Sequence, residues 1–95
     1  MKRFVINAQL FSSVPTFFEH ADEVLCVDFT SGRNMNAFRD ILMGGFGAFE
    51  YEEPIEIIWR GADKSRRDLG EAYDWFVEAI REKSHITFYE EKAQL

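Results

Sequence analysis

A single cysteine, Cys26, in a chain of 95 residues excludes an internal disulfide. Set between Leu25 and Val27, it is expected as a buried thiol with no chemistry of its own. Histidine occurs only twice, at His20 and His85, and no serine or cysteine nucleophile can be placed beside a base by spacing. With no metal-ligand cluster either, no enzymatic activity, metal or cofactor is expected. Long apolar runs are also missing. The N-terminal MKRFVINAQLF falls far short of a signal peptide's apolar region or a membrane span, so a cytosolic protein is expected. Positive charge is the scarcer sign, with 11 Lys and Arg against 17 Asp and Glu and a net charge of -6. That balance disfavours nucleic acid and anionic lipid as direct ligands and favours a cationic protein.

What the chain has is core-forming material. Hydrophobic residues make up 46% of it, ten of them phenylalanine, so residues 1–95 are expected to fold as a single domain, without repeat or linker. Lys2 to Asn7 holds Phe4, Val5 and Ile6 in succession, apolar on both faces like a strand inside a parallel sheet. Ser12 and Ser13 offer a cap for a helix with Pro15 in its first turn. Its Val14, Phe17, Phe18, Ala21, Val24 and Leu25 face a core, while Glu19, His20, Asp22 and Glu23 face solvent. Cys26 to Gly32 reads as a connection.

Pro54 to Trp59 is a second buried strand. Asp63 is placed to cap a two-turn helix carrying Lys64, Arg66 and Arg67, the one basic cluster. Glu71 to Lys83 is a helix with Ala72, Tyr73, Phe76, Val77 and Ile80 inward. Outward it shows an acidic stripe of Glu71, Asp74, Glu78 and Glu82 beside Trp75, which is either a solvated face or a surface for a cationic partner. Ile86 to Tyr89 is the last strand and Glu90 to Leu95 a frayed tail. Strand, helix, helix, strand, helix, helix, strand predicts an α/β fold, a small three-stranded parallel sheet packed with about four helices.

The candidate functional stretch is Gly32 to Gly47, GRNMNAFRDILMGGFG. Asn34 caps a short helix and Gly44 and Gly45 stop it. Met35, Phe38, Ile41 and Leu42 form its apolar stripe; Asn36, Arg39, Asp40 and Met43 face outward. Asp40 lies one turn from the helix C-terminus, where the macrodipole is negative and a carboxylate is unfavourable by about 0.3–1 kcal/mol. Helix formation does not explain it. Either a partner supplies the missing positive charge, or Asp40 is solvated or pairs with Arg39 or Arg33. The loop that follows, GGFGAFEYEEP, lacks the lysine and spacing of a phosphate-binding loop. Its Phe46, Phe49 and Tyr51 are either tucked on the core or displayed as anchors for a partner.

The segment GRNMNAFRDIL, together with MKRFVIN, GGFG, PIEIIWR and the closing IT, resembles the barstar-like family of ribonuclease inhibitors over nearly the whole chain. The resemblance implies an intracellular inhibitor of the antitoxin or immunity kind, a monomer on its own, that blocks the active site of a basic ribonuclease or related toxin protein. In that family an aspartate of the central helix occupies the place of substrate phosphate. Carried over, Asp40 matches that aspartate, Asn34 the asparagine at the helix start, Gly44 a contact glycine and Glu78 an acid of the last long helix. Asn36, Arg39, Thr30 and Ser31 replace a second aspartate, a tryptophan and two tyrosines of the family pattern. The partner-binding set is thus Asn34, Asn36, Arg39, Asp40, Gly44, Phe46 and Glu78. The alternative is a barstar-like binding module for a non-nuclease toxin or regulatory protein, which Arg39 and the phenylalanine-containing loop favour.

Overall fold

Parallel pairing sets the architecture. The computed structural model describes residues 1–92, in which β1 (Lys2–Asn7) pairs with β2 (Ile55–Arg60) and β2 with β3 (Ile86–Glu91), both in parallel and in the order β1-β2-β3. Parallel neighbours need long crossovers. Helices α1 (Val14–Leu25) and α2 (Met35–Leu42) supply the first, α3 (Ala62–Leu69) and α4 (Glu71–Arg81) the second. The described residues therefore form the α/β arrangement expected, a three-stranded parallel sheet with four α-helices.

Local chemistry explains where the helices start. Ser13 accepts from the Thr16 amide while the Ser13 amide donates to the Thr16 hydroxyl, a reciprocal capping box, and Pro15 sits in the first turn where no amide is needed. α3 is different: its cap is Gly61 in a left-handed conformation (φ 82°), and Asp63, expected as the cap, lies inside the first turn. There it favours the positive end of the dipole instead.

The core is built around stacked rings. Phe17 of α1 lies 4.0 Å from Phe76 of α4, near-parallel to it, and 5.2 Å from Trp59 of β2. Phe38 of α2 meets both phenylalanines edge-on. The buried Trp59 indole N–H donates to Ser65 Oγ at 2.9 Å, so its polar end is satisfied.

Three further expectations need correction. β1 is an edge strand, not an interior one: only Ile6 is buried, and Val5 lies beside Ile58 on the outer face of the sheet. His20 and Asp22 are buried, because α1 is covered on more sides than its periodicity shows. The Asn7 amide donates to His20 Nε2 at 3.0 Å, with the Phe11 ring beside it, and the Ser31 amide donates to Asp22 Oδ2. Glu90 and Glu91 belong to β3 rather than to a tail; the rest of that tail, Ala93 to Leu95, lies outside the described residues.

Glu90 ties the last strand to the helices. It accepts from Tyr73 Oη (2.7 Å), Arg81 Nη2 (2.8 Å) and Arg66 Nη2 (3.3 Å). The basic cluster of α3 is likewise committed internally: Lys64 Nζ donates to the Ala8 and Phe11 carbonyls and to Asp68, and Arg67 pairs with Asp63. Glu90→Ala strands the buried Tyr73 hydroxyl and is expected to cost about 1–3 kcal/mol in urea denaturation. Glu91→Ala, which removes an exposed pair with Arg60, should stay within about 1 kcal/mol of the parent. Equal losses would deny Glu90 this role.

His20 gives the fold a pH dependence. Burial holds its pKa below the ordinary 6.5, against a weaker opposing pull from the Glu23 carboxylate, so the folded state prefers the neutral ring. The unfolded chain then takes up the proton first, and stability is lost as pH falls below about 6.5. His20→Gln keeps an acceptor for the Asn7 amide but does not titrate. Denaturation at pH 7.5 and 5.5 should show a smaller acid-induced loss in that variant than in the parent.

Candidate functional site: the outward face of the second helix

The helix that carries Asp40 is fixed at both ends. At the start, Asn34 Oδ1 accepts from the Ala37 amide at 2.8 Å. Immediately before it Arg33 adopts a left-handed backbone (φ 54°), held by Asp22 Oδ2, which accepts from the Ser31 amide and from Arg33 Nε at 3.2 Å each. At the end, the Gly44 amide donates to the Ile41 carbonyl and the His85 ring bonds the Leu42 carbonyl at 2.8 Å. Phe38, Ile41 and Leu42 are buried, so the opposite face is presented without freedom to rotate.

On that face the Asp40 carboxylate is exposed and forms no hydrogen bond or ion pair with any described residue. Both guanidinium groups that could have neutralised it are engaged elsewhere. Arg33 bridges Asp22 at 3.2 Å and Glu19 at 3.6 Å, and Arg39 reaches across to Glu82, the C-cap of α4, at 3.4 Å. The Arg39 contact also places the C-terminal end of the acidic α4 surface beside α2, and Glu78, Asp74 and Glu71 are exposed along it. Asn36 is exposed on α2 and Asn34 at its cap.

Asp40 borders a groove of about 190 Å³ whose other walls include Phe29, Ser31, Ile41 and Phe46. The three loop aromatics divide. Phe49 is buried against Phe4, Tyr51 is exposed, and Phe46 is half-buried with its ring 4.7 Å from Phe29. The Phe46 carbonyl accepts from the Val27 amide, and Cys26 bridges to Gly47, so the two loops form one surface. Cys26 itself is buried and its thiol is pushed up to about 11, chiefly by burial and then by Asp22, which leaves it unreactive.

Gly44, expected as a contact glycine, is buried. It has φ 92°, and a Cβ there would lie 2.3 Å from the Glu50 carbonyl. Two residues of this region escaped the sequence reading. Phe29 was the one large apolar side chain in the polar run DFTSG, a signal that was available. Asp22 gave no signal, since its partners come from a loop nine and eleven residues on.

The family model described as Barstar (barnase inhibitor) matches residues 1–94. The chain belongs to the barstar family. No match was found among curated proteins. Barstar-family membership agrees with the resemblance carried by GRNMNAFRDIL and with the parallel α/β fold, and the family is one of inhibitors. No helix among the described residues is long and apolar enough to cross a membrane. No group of three or more His, Cys, Asp or Glu among them is placed to hold a metal.

The glycine pair yields a test of this loop. Gly44→Ala combines a disfavoured backbone with a steric clash and should cost about 3 kcal/mol or more. Gly45→Ala meets the same backbone penalty (φ 91°) in open space and should cost about 1–2 kcal/mol. Chemical denaturation of both variants decides; a smaller effect at Gly44 would refute the close approach.

Proposed function

We propose that this barstar-family protein is a cytoplasmic inhibitor, of the antitoxin or immunity kind, that binds a basic ribonuclease as a monomer and blocks its active site with Asp40. A ribonuclease must line its substrate site with cations to hold RNA phosphate. A carboxylate offered to such a site forms short, charge-assisted hydrogen bonds with arginine, lysine or imidazolium donors. The observation that carries the reading is the state of Asp40 in the free protein: exposed, unpaired among the described residues, and mounted on a helix locked at both ends. Preorganisation of this kind removes an ordering cost from binding. Asn36 lies on the same helix and Asn34 at its cap, Glu78 is exposed on α4, Phe46 and Gly44 belong to the loop that follows, and the net charge of -6 assists encounter with a basic partner.

Arg39 does not oppose this reading as its charge first suggests, because Glu82 already holds it. The second reading is a barstar-family module for a non-nuclease toxin or regulatory protein. The exposed Val27 and Phe29 favour it, since apolar contact serves any protein partner. It predicts capture of a partner without inhibition of RNA cleavage.

The test measures inhibition of basic microbial ribonucleases, barnase among them, by the parent and two variants. Removing one member of a desolvated charge pair costs about 3–5 kcal/mol, so Asp40→Ala should weaken inhibition roughly a hundredfold or more. Glu82→Ala loses an exposed pair and, even with Arg39 released, should change it by less than about tenfold. Both variants should unfold like the parent. Equal losses from the two would remove Asp40 from its assigned place, and no inhibition of any ribonuclease would favour the second reading.

A further inference from the structure

A helix leaves its final carbonyls without partners inside the helix, and the end of α2 satisfies them in two different ways. The Asp40 carbonyl accepts from the Met43 amide at 3.1 Å and the Ile41 carbonyl from the Gly44 amide at 3.2 Å, the local bonds of a closing turn. The next amide, Gly45, turns away to the Phe49 carbonyl. The Leu42 carbonyl is thus left to a side chain 43 residues distant, the His85 ring, whose Nε2 lies 2.8 Å from it. A carbonyl only accepts, so Nε2 carries the proton.

No solvent can take over this bond. Leu42 is 0% exposed, and a buried acceptor without its donor is unfavourable. Without the ring, the carbonyl reaches water only if the last turn of α2 moves. Asp40 belongs to that turn, and its own carbonyl is tied to Met43, the residue after Leu42. Charge adds to the demand. The Asp40 carboxylate and the negative end of the helix dipole lie together there, and Arg39, the one base in the last turn, pairs with Glu82. The His85 N–H brings a positive dipole to this end instead. Its own backbone is held, because the His85 carbonyl accepts from the amide of Ile55, the first residue of β2, at 3.1 Å.

We infer that His85 is a positioning residue for the inhibitory face: by holding the Leu42 carbonyl, its ring sets where the last turn of α2 and the Asp40 carboxylate stand. The inference rests on the proposed function for what Asp40 then meets. His85 acts through Asp40, so its loss should matter to a partner only while that carboxylate is present.

The free, full-length protein gives the first test. NMR of the imidazole nitrogens should show His85 with its proton on Nε2 at neutral pH, a result that needs no variant; a ring protonated only on Nδ1 overturns the inference. His85→Leu occupies the space without a donor, whereas His85→Gln places an amide N–H near the Nε2 position. Hydrogen exchange at the Met43 and Gly44 amides, relative to those of α1, should quicken about tenfold or more in the leucine variant and stay within about threefold of the parent in the glutamine variant. Unchanged exchange with leucine, or equal acceleration in both variants, overturns the inference.

A double-mutant cycle with a ribonuclease that the chain inhibits gives the second test. His85→Leu should weaken inhibition about tenfold beside Asp40 but less than about threefold in an Asp40→Ala background, with glutamine restoring the parent value to within about threefold. Equal losses in the two backgrounds make His85 a general prop of the fold and overturn the inference. If Asp40→Ala does not itself weaken inhibition, the proposed function fails, and the tautomer and exchange results still decide whether the ring holds the helix end.

Discussion

The contact on which the rest of this structure depends is the stack of Phe17 on Phe76, 4.0 Å between centroids, with Phe38 edge-on to both. It joins α1, α2 and α4 at one point, and Trp59 extends it to the central strand. An eight-residue helix is too short to persist on its own in water, so α2 exists because this cluster and its caps hold it. Each ring pair adds about 0.5–1.5 kcal/mol beyond its buried area. Asp40 follows Phe38 by two residues. Fixing the ring therefore fixes the azimuth of the carboxylate, and a packing interaction in the core becomes a positional constraint at the surface.

Much of this was readable in the residues. The Asn34 cap, the Phe38–Ile41–Leu42 stripe and the glycine stop follow from local rules, and each takes its place in the structure. The failures share a cause. Periodicity reports one packing partner for a helix, and α1 has several: His20 meets Asn7 and Phe11, while Asp22 meets the loop before α2. The segment TFYEE reads as strand fading into polar tail because an edge strand needs few apolar residues. Its anchor, Glu90, draws partners 9, 17 and 24 residues away, a distance at which no local pattern operates. The candidate site divides the same way. Asp40 stands out in the sequence through its conflict with the helix dipole, and it is exposed and unpaired among the described residues, whereas nothing local marks the loop beside it.

Charge pairing sharpens the distribution of the acidic excess. Arg3, Arg33, Arg39, Arg60, Arg66, Arg67 and Arg81 each lie against a carboxylate. The guanidinium groups thus serve the fold, bracing strand to strand and loop to helix. The acids without such partners among the described residues include Asp28, Asp40, Asp74 and Glu78. Net negative charge in this barstar-family protein is therefore not a uniform veneer for solubility. It is concentrated where internal neutralisation has been withheld.

That withholding distinguishes Asp40 from an ordinary surface acid. Arg39 is its chain neighbour and Arg33 lies beyond the other end of the helix, and neither guanidinium pairs with it. Instead the buried Asp22 holds Arg33, and Glu82, the C-cap of α4, holds Arg39. An exposed pair is worth at most about 1 kcal/mol, so the fold gives up little stability by leaving Asp40 alone. The same carboxylate, moved into a dry and cationic cleft, gains far more, because attraction between charges strengthens as water is excluded. The arrangement forgoes only a weak internal contact, and it leaves an exposed carboxylate, unpaired among the described residues, on a helix fixed at both ends.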